Sequence, residues 1–177
     1  MKKTLLTNLM LLTVIALFAL SFATAVKADP VSKDLYAGSP HYYGEPGPKD
    51  PSWYYAHRTY VGWVRVWNDG DNLYVRYRTT DVGMDETHVA VAEAFKDIPQ
   101  TKSGNPKVGR FPYKHEGLDG VYTDLYTIPL EWDVGTKLVI AAHTALDNGE
   151  TAWADYGGPD AYFPGGNWAT YFTYTVQ

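Results

Sequence analysis

The stretch YVGWVRVWNDGDNLYVRYRTTD, residues 60–81, holds two runs of alternating side chains around a turn of Asn, Asp and Gly. A period of two is typical of strands, and an Asp-Gly pair between two such runs is the strongest short-range signal of a β-hairpin. The sequence therefore predicts strands over 60–67 and 73–80. One face of this hairpin carries Val64, Val66, Val75 and Tyr77, and the other carries Trp63, Arg65, Trp67, Tyr74, Arg76 and Arg78.

A four-residue loop over 69–72 would place Arg65 opposite Arg76 and Trp67 opposite Tyr74. Two arginines directly opposed repel each other unless aromatic rings or acids intervene, and stacking on Trp or Tyr is a common solution. This face is either an exposed binding surface or a surface covered by a loop or a second sheet. The sequence leaves both alternatives open.

The rest of the chain also favours strands. Alternation predicts further strands over 86–92, 121–130, 137–146 and 168–176, with a short helical turn within 91–98. A Pro/Gly-rich insertion loop is expected over 99–120, and a second loop over 149–166. The prediction is an all-β fold, a single antiparallel β-sandwich of jelly-roll type with a long insertion loop.

The first 28 residues have the pattern of a secretory signal peptide, with two lysines, an apolar run and a small-residue site ending at Ala28. A retained membrane anchor is the alternative. Secretion, to the extracellular space or the periplasm, is expected, with no membrane span after cleavage. Residues 29–52 are rich in Pro, Gly and Tyr and are predicted to form an irregular N-terminal arm, followed by the β-sandwich domain over 53–177.

Net charge, cysteine content and motif content limit the classes of partner and activity that we expect for this chain. Without the three lysines of the leader, 12 Lys and Arg stand against 20 Asp and Glu, a net charge of −8. An acidic chain is a poor partner for nucleic acid or anionic lipid. The sequence has no Cys, so disulfides cannot stabilise it. No nucleophile motif is present, and with 20 acids any carboxylate pair is uninformative, so no enzyme is predicted.

Two kinds of metal site are suggested by polar side chains. Acidic turns offer oxygen ligands for calcium, from Asp69, Asp71, Asp81, Asp85 and Glu86. Asp and Asn are also ordinary turn residues, so each turn has a purely structural explanation. His88 and His143 lie in predicted strands and, with His115, would suit zinc or copper if those strands were neighbours.

The hairpin and its Leu-Tyr-Val run, closed by Asp81, resemble the early strands of family 9 carbohydrate-binding modules and related DOMON-like sandwiches. The motifs FPYKHE at 111–116, ETAW at 150–153 and FPGGNWATYF at 163–172 depart from those modules and look more like secreted prokaryotic proteins of unknown function. The resemblance covers only the hairpin. It implies a calcium-tolerant β-sandwich that binds its ligand without cleaving it. It does not identify a set of sugar-binding residues in this sequence.

The expected function is a secreted, non-catalytic binding module for carbohydrate or another extracellular ligand such as a protein, stabilised by calcium. Stacking would use Trp63, Trp67 or Tyr74 with Arg65 and Arg76, or Trp153 and Trp168 near the second loop. The alternatives are a structural subunit that forms homo-oligomers through strand addition by the N-terminal arm, and a small metalloprotein built on His88, His115 and His143.

Overall fold

The computed structural model describes residues 29–38, 58–155 and 161–177. The signal peptide expected over 1–28 lies outside these ranges. Nine strands are described: β1 Val31–Ala37, β2 Thr59–Asn68, β3 Asn72–Thr79, β4 Met84–Ala92, β5 Tyr113–Val121, β6 Thr123–Pro129, β7 Lys137–Leu146, β8 Thr151–Asp155 and β9 Phe172–Thr175. Two single-turn 3-10 helices, Phe95–Asp97 and Val108–Arg110, lie between β4 and β5. The all-β prediction is confirmed.

The strands pair in the order β5-β4-β7-β8-β1-β2-β3-β6, and β9 pairs with β7. All the pairings are antiparallel. The described strands thus form one sheet rather than two hydrogen-bonded sheets of a sandwich. Its end strands approach each other, because Asp124 on β6 contacts both His115 on β5 and Thr87 on β4. The sheet is therefore close to a closed barrel, an arrangement that leaves few unpaired edges.

The hairpin has the predicted register. Trp63 pairs with Arg78, Arg65 with Arg76, and Trp67 with Tyr74. Asp69 shapes the loop, because its carboxylate accepts hydrogen bonds from the backbone amides of Asp71 and Asn72 at 2.9 and 2.8 Å.

Alternating residues of the strands fill the interior. Val64, Val66, Val75 and Tyr77 are fully buried there, as the hairpin pattern predicted. They pack in one cluster with apolar residues of β1, β4, β6, β7 and β9. Burial of each such side chain contributes about 1.5–3 kcal/mol, so this interior is the main source of stability in a chain without disulfides.

A second apolar cluster lies on the outer face of β4, β7 and β8. Residues of the segments before β5 and before β9 cover this face, and the buried members are Ala90, Ile98, Phe111, Val139, Ala141, Trp153, Phe163 and Ala169. β7 is consequently buried on both faces, which explains its nearly continuous apolar sequence LVIAA.

Three strands depart from the sequence predictions. The irregular arm predicted over 29–52 is corrected in its first part, because Val31–Ala37 is a strand paired with both β2 and β8. The loop predicted over 99–120 ends earlier, since Tyr113–Val121 forms β5. Thr151–Asp155 forms β8 within the predicted second loop. Residues 39–57 and 156–160, including the rest of the arm, lie outside the described part of the chain.

Gly62 lies where two backbones come unusually close. A Cβ atom at this position would lie 2.0 Å from the carbonyl oxygen of Arg78 on the paired strand. The pairing of β1 with β2 is irregular at the same level, where Leu35 pairs with Gly62. The glycine therefore permits this close approach, and any side chain would force the strands apart.

Candidate functional site

The outward face of the hairpin is open to solvent. Arg65, Arg76 and Arg78 are exposed, and Trp63 and Trp67 are partly exposed. In the described part of the chain, no loop or second sheet buries these side chains, which was the alternative left open by the sequence. We call the outward side chains of the two strands, Trp63, Arg65, Trp67, Tyr74, Arg76 and Arg78, the aromatic-arginine face.

Each of the two opposed arginines packs on an aromatic ring. The Arg65 guanidinium lies 4.2 Å from the centroid of Trp63, and that of Arg76 lies 5.2 Å from Trp67. Trp67 in turn stacks on Tyr74, with centroids 5.1 Å apart and an interplanar angle of 13°. Each cation thus rests on a π-face, which offsets the repulsion between Arg65 and Arg76.

Flanking strands extend this face with mostly uncharged side chains. On β6, the exposed Leu125 pairs with Arg76 and the exposed Thr127 pairs with Tyr74. On β1, exposed Ser32 pairs with Arg65, and Asp34, opposite Trp63, adds one carboxylate. The three arginines therefore give the aromatic-arginine face a local positive charge on a chain whose overall net charge is −5.

Of the two late tryptophans predicted to bind ligand, Trp153 is placed differently from the prediction. Trp153 is only 5% exposed and packs between His143 and Phe111 in the second apolar cluster. It lies inside the protein and cannot stack on a ligand in this arrangement. Trp168 is partly buried against the same cluster. Neither ring belongs to the aromatic-arginine face.

The acidic residues predicted to bind calcium do not converge. Asp69 and Asp71 lie in the β2–β3 loop, and the Asp69 carboxylate also accepts a hydrogen bond from the hydroxyl of Tyr74. Asp81 lies in the next turn, beside Thr80. Asp85 accepts a hydrogen bond from the backbone amide of Gly120. Among the described residues, none of Asp69, Asp71, Asp81 and Asp85 belongs to a group of three ligand atoms within 4.8 Å of one another, and calcium binding in these turns stays a prediction.

Glu86 instead belongs to a different cluster. Its carboxylate lies 3.8 Å from Nε2 of His88, and the carboxylate of Glu116 on β5 lies at the same distance from that nitrogen. The three ligand atoms lie within 4.8 Å of one another. This group combines one imidazole with two carboxylates, which is typical of transition-metal sites rather than calcium sites.

His88 and His143 are neighbours, as the sequence allowed. They pair across β4 and β7, and their ring centroids lie 5.6 Å apart. Burial lowers the pKa of His88, against the opposing effect of Glu86 and Glu116. Burial, with a smaller effect from His88, lowers the pKa of His143 to about 3. Both rings are therefore neutral at pH 7, the form that ligates metals.

His115 does not join the other two histidines. Its Nδ1 lies 2.9 and 3.0 Å from the two carboxylate oxygens of Asp124, and its ring stacks on Tyr126 at 4.3 Å. Thr87 bonds both Asp124, at 2.5 Å, and the hydroxyl of Tyr126. Burial raises the pKa of Tyr126 to about 12. These side chains link the two end strands of the sheet, and the three-histidine site is corrected to a pair.

The sequence did not place Glu116 beside Glu86 and His88, because the segment around β5 was predicted as a loop. Asp124 lies in a strand that was predicted, but no local pattern signalled its contacts with Thr87 and His115. Alternation was weak around β5, since this strand is mostly exposed on both faces. The Lys-His-Glu run at 114–116 was the available signal, because strand periodicity puts Lys114 and Glu116 on one face and His115 on the other.

Comparison with known proteins gives no relatives: no family model, curated protein or solved structure matched this chain. In the described residues, no helix is long and apolar enough to cross a membrane.

Proposed function

We propose that this protein is a secreted, non-catalytic binding module that takes an acidic polysaccharide on its aromatic-arginine face. The observation that carries the proposal is the exposure of three guanidinium groups beside three aromatic rings on a regular sheet surface. Secretion rests on the leader pattern of the first 28 residues.

Charge favours an acidic ligand. Arg65, Arg76 and Arg78 have planar groups that bind carboxylates in a bidentate manner, and the flanking β6 residues add no acid that would compete for them. An overall acidic chain would otherwise repel an anionic polymer. The basic face therefore gives such a polymer a specific site of attachment.

The width of the surface favours an extended polymer over a small compact ligand. The aromatic-arginine face lies on β2 and β3, and its neighbours β1 and β6 continue the same sheet surface on either side. Trp67 and Tyr74 stack on each other and Arg76 lies over Trp67, so the exposed part of this stack would contact the sugar rings while the arginines bind the acidic substituents. The calcium ion expected from the acidic turns plays no part in this proposal.

The filament-subunit alternative has less support in the described part of the chain. Within β1, residues 34–37 already pair with both β2 and β8, so this portion of the arm has no free edge to offer a neighbouring molecule.

Binding to polygalacturonate and alginate, measured by affinity electrophoresis and calorimetry against neutral glucan, tests the proposal. We expect binding to the acidic polymers that weakens with salt, and a loss of about tenfold or more in Arg76→Ala and Trp67→Ala. Arg110→Ala, at an exposed arginine away from the face, is the matched control and should bind normally. Equal binding by Arg76→Ala and the wild type would refute the proposal.

A further inference from the structure

We propose that Glu86, His88 and Glu116 bind a divalent transition-metal ion, with Zn²⁺ as the natural candidate, on the outer face of β4 and β5. This site shares no residue with the aromatic-arginine face, because its ligands lie on β4 and β5 and that face lies on β2 and β3. It does not depend on the polysaccharide proposal.

Strand pairing builds the cluster. Glu86 pairs with Glu116 across β4 and β5, and His88 stands two residues further along β4. Residues two apart on a strand share a face, so both carboxylates lie beside the imidazole. The backbone therefore fixes the three side chains on one side of the sheet without help from a mobile loop.

The distances fit an ion after a small closure. Donor atoms in a tetrahedral zinc site, with bonds of about 2.0–2.1 Å, lie roughly 3.3 Å apart. The two carboxylates lie 3.8 Å from Nε2 of His88, which is too long for a hydrogen bond. The side chains of Glu86 and Glu116 are 45% and 51% exposed, so rotation of either can shorten these distances.

The imidazole of His88 is buried and directs one nitrogen at the two carboxylates. His88 is 3% exposed, and its Nε2 lies 3.8 Å from both Glu86 and Glu116, beyond hydrogen-bond distance. A metal ion between these three groups would give the buried Nε2 a ligand bond that the surrounding side chains do not supply. The other ring nitrogen, Nδ1, has no hydrogen-bond partner among the described residues and would not be satisfied by this ion.

The ligand types select the metal class. An imidazole with two carboxylates suits zinc, copper or other first-row ions, whereas calcium prefers six to eight oxygen ligands. Lys114 is the competing cation, with Nζ 3.2 Å from the Glu116 carboxylate. An incoming ion has to displace this exposed ion pair, which costs little.

Calorimetry with ZnCl₂ on the untagged mature protein, after chelator treatment, tests the site. We expect one Zn²⁺ per chain, and a loss of affinity of about tenfold or more in His88→Gln and in Glu116→Gln. Glu116 is exposed, so its replacement leaves the fold intact and separates loss of the ligand from loss of structure. CaCl₂ in place of zinc should produce no comparable binding.

Two further variants distinguish this site from others. His115→Gln removes an imidazole on the opposite face of β5 and should leave zinc affinity unchanged. Lys114→Ala should strengthen binding by up to about fivefold, because the competing ion pair is gone. Absence of zinc binding, equal affinity in Glu116→Gln, or loss of binding in His115→Gln would overturn the assignment.

Discussion

His88 and His143 pair directly across β4 and β7, and neither side chain is more than 8% exposed. Two imidazoles at a ring separation of 5.6 Å in a buried setting cannot both carry protons without a large energetic cost. This pair therefore makes the fold sensitive to acid.

We expect the metal-free protein to lose stability as the pH falls below about 6.5. The folded-state pKa of His143 is lowered to about 3 by burial, whereas an unfolded chain binds a proton near 6.5. Between these values only the unfolded state is protonated, so the stability present above pH 6.5 declines as the pH falls towards 3. Urea unfolding at several pH values in EDTA measures the decline, on the order of 1 kcal/mol per pH unit.

A neutral replacement isolates this effect. His143→Gln should lower stability overall but flatten its dependence on pH between 4.5 and 6.5, above the range in which most carboxylates titrate. An unaltered slope in His143→Gln would assign the acid sensitivity to other groups.

The register of the hairpin was predictable, and its strand bounds were predicted to within one residue, because its turn chemistry and alternation agree and register follows from loop length. Strands β1 and β8 were missed for a physical reason. VSKDLYA and TAWAD are short and are fixed by pairing on both sides, which a local pattern does not reveal. The cluster of Glu86, His88 and Glu116 forms only because residues around Glu116 are a strand that pairs with β4. No short-range sequence signal indicates the pairing of Glu86 with Glu116.

Asp124 holds the two ends of the sheet together. Its carboxylate bonds Thr87 on β4 and His115 on β5, although β6 pairs in the sheet with β3. Asp124→Ala should therefore reduce the free energy of unfolding by about 1–3 kcal/mol and raise amide exchange in β5 and β6. Asp133→Ala, at an exposed aspartate beyond β6, is the control. Faster exchange throughout the sheet would indicate a general loss of stability instead.

Substitution of Gly62 tests the importance of the close approach between β2 and β3. Gly62→Ala places a methyl group 2.0 Å from the Arg78 carbonyl oxygen, so the strands must separate. We expect a loss of about 1–3 kcal/mol, seen as a lower Tm. Gly70→Ala is the matched substitution in the same hairpin, because a Cβ there meets no atom within 4 Å. Its Tm should stay close to that of the wild type, and equal losses in both variants would argue against a specific clash.

Asn68, at the end of β2, connects the hairpin to Tyr174 and Gln177 through hydrogen bonds. This buried amide accepts hydrogen bonds from the Tyr174 hydroxyl at 2.5 Å and the Gln177 backbone amide at 3.0 Å, and it donates one to the Gln177 carbonyl oxygen. Asn68→Ala leaves these groups without their partner, so we expect a loss of about 2–4 kcal/mol in chemical denaturation. Tyr174→Phe removes only one of the bonds and should cost about 1 kcal/mol. Asn148→Ala, in the exposed β7–β8 turn, should have a smaller effect than either, and similar losses in all three variants would contradict the role assigned to Asn68.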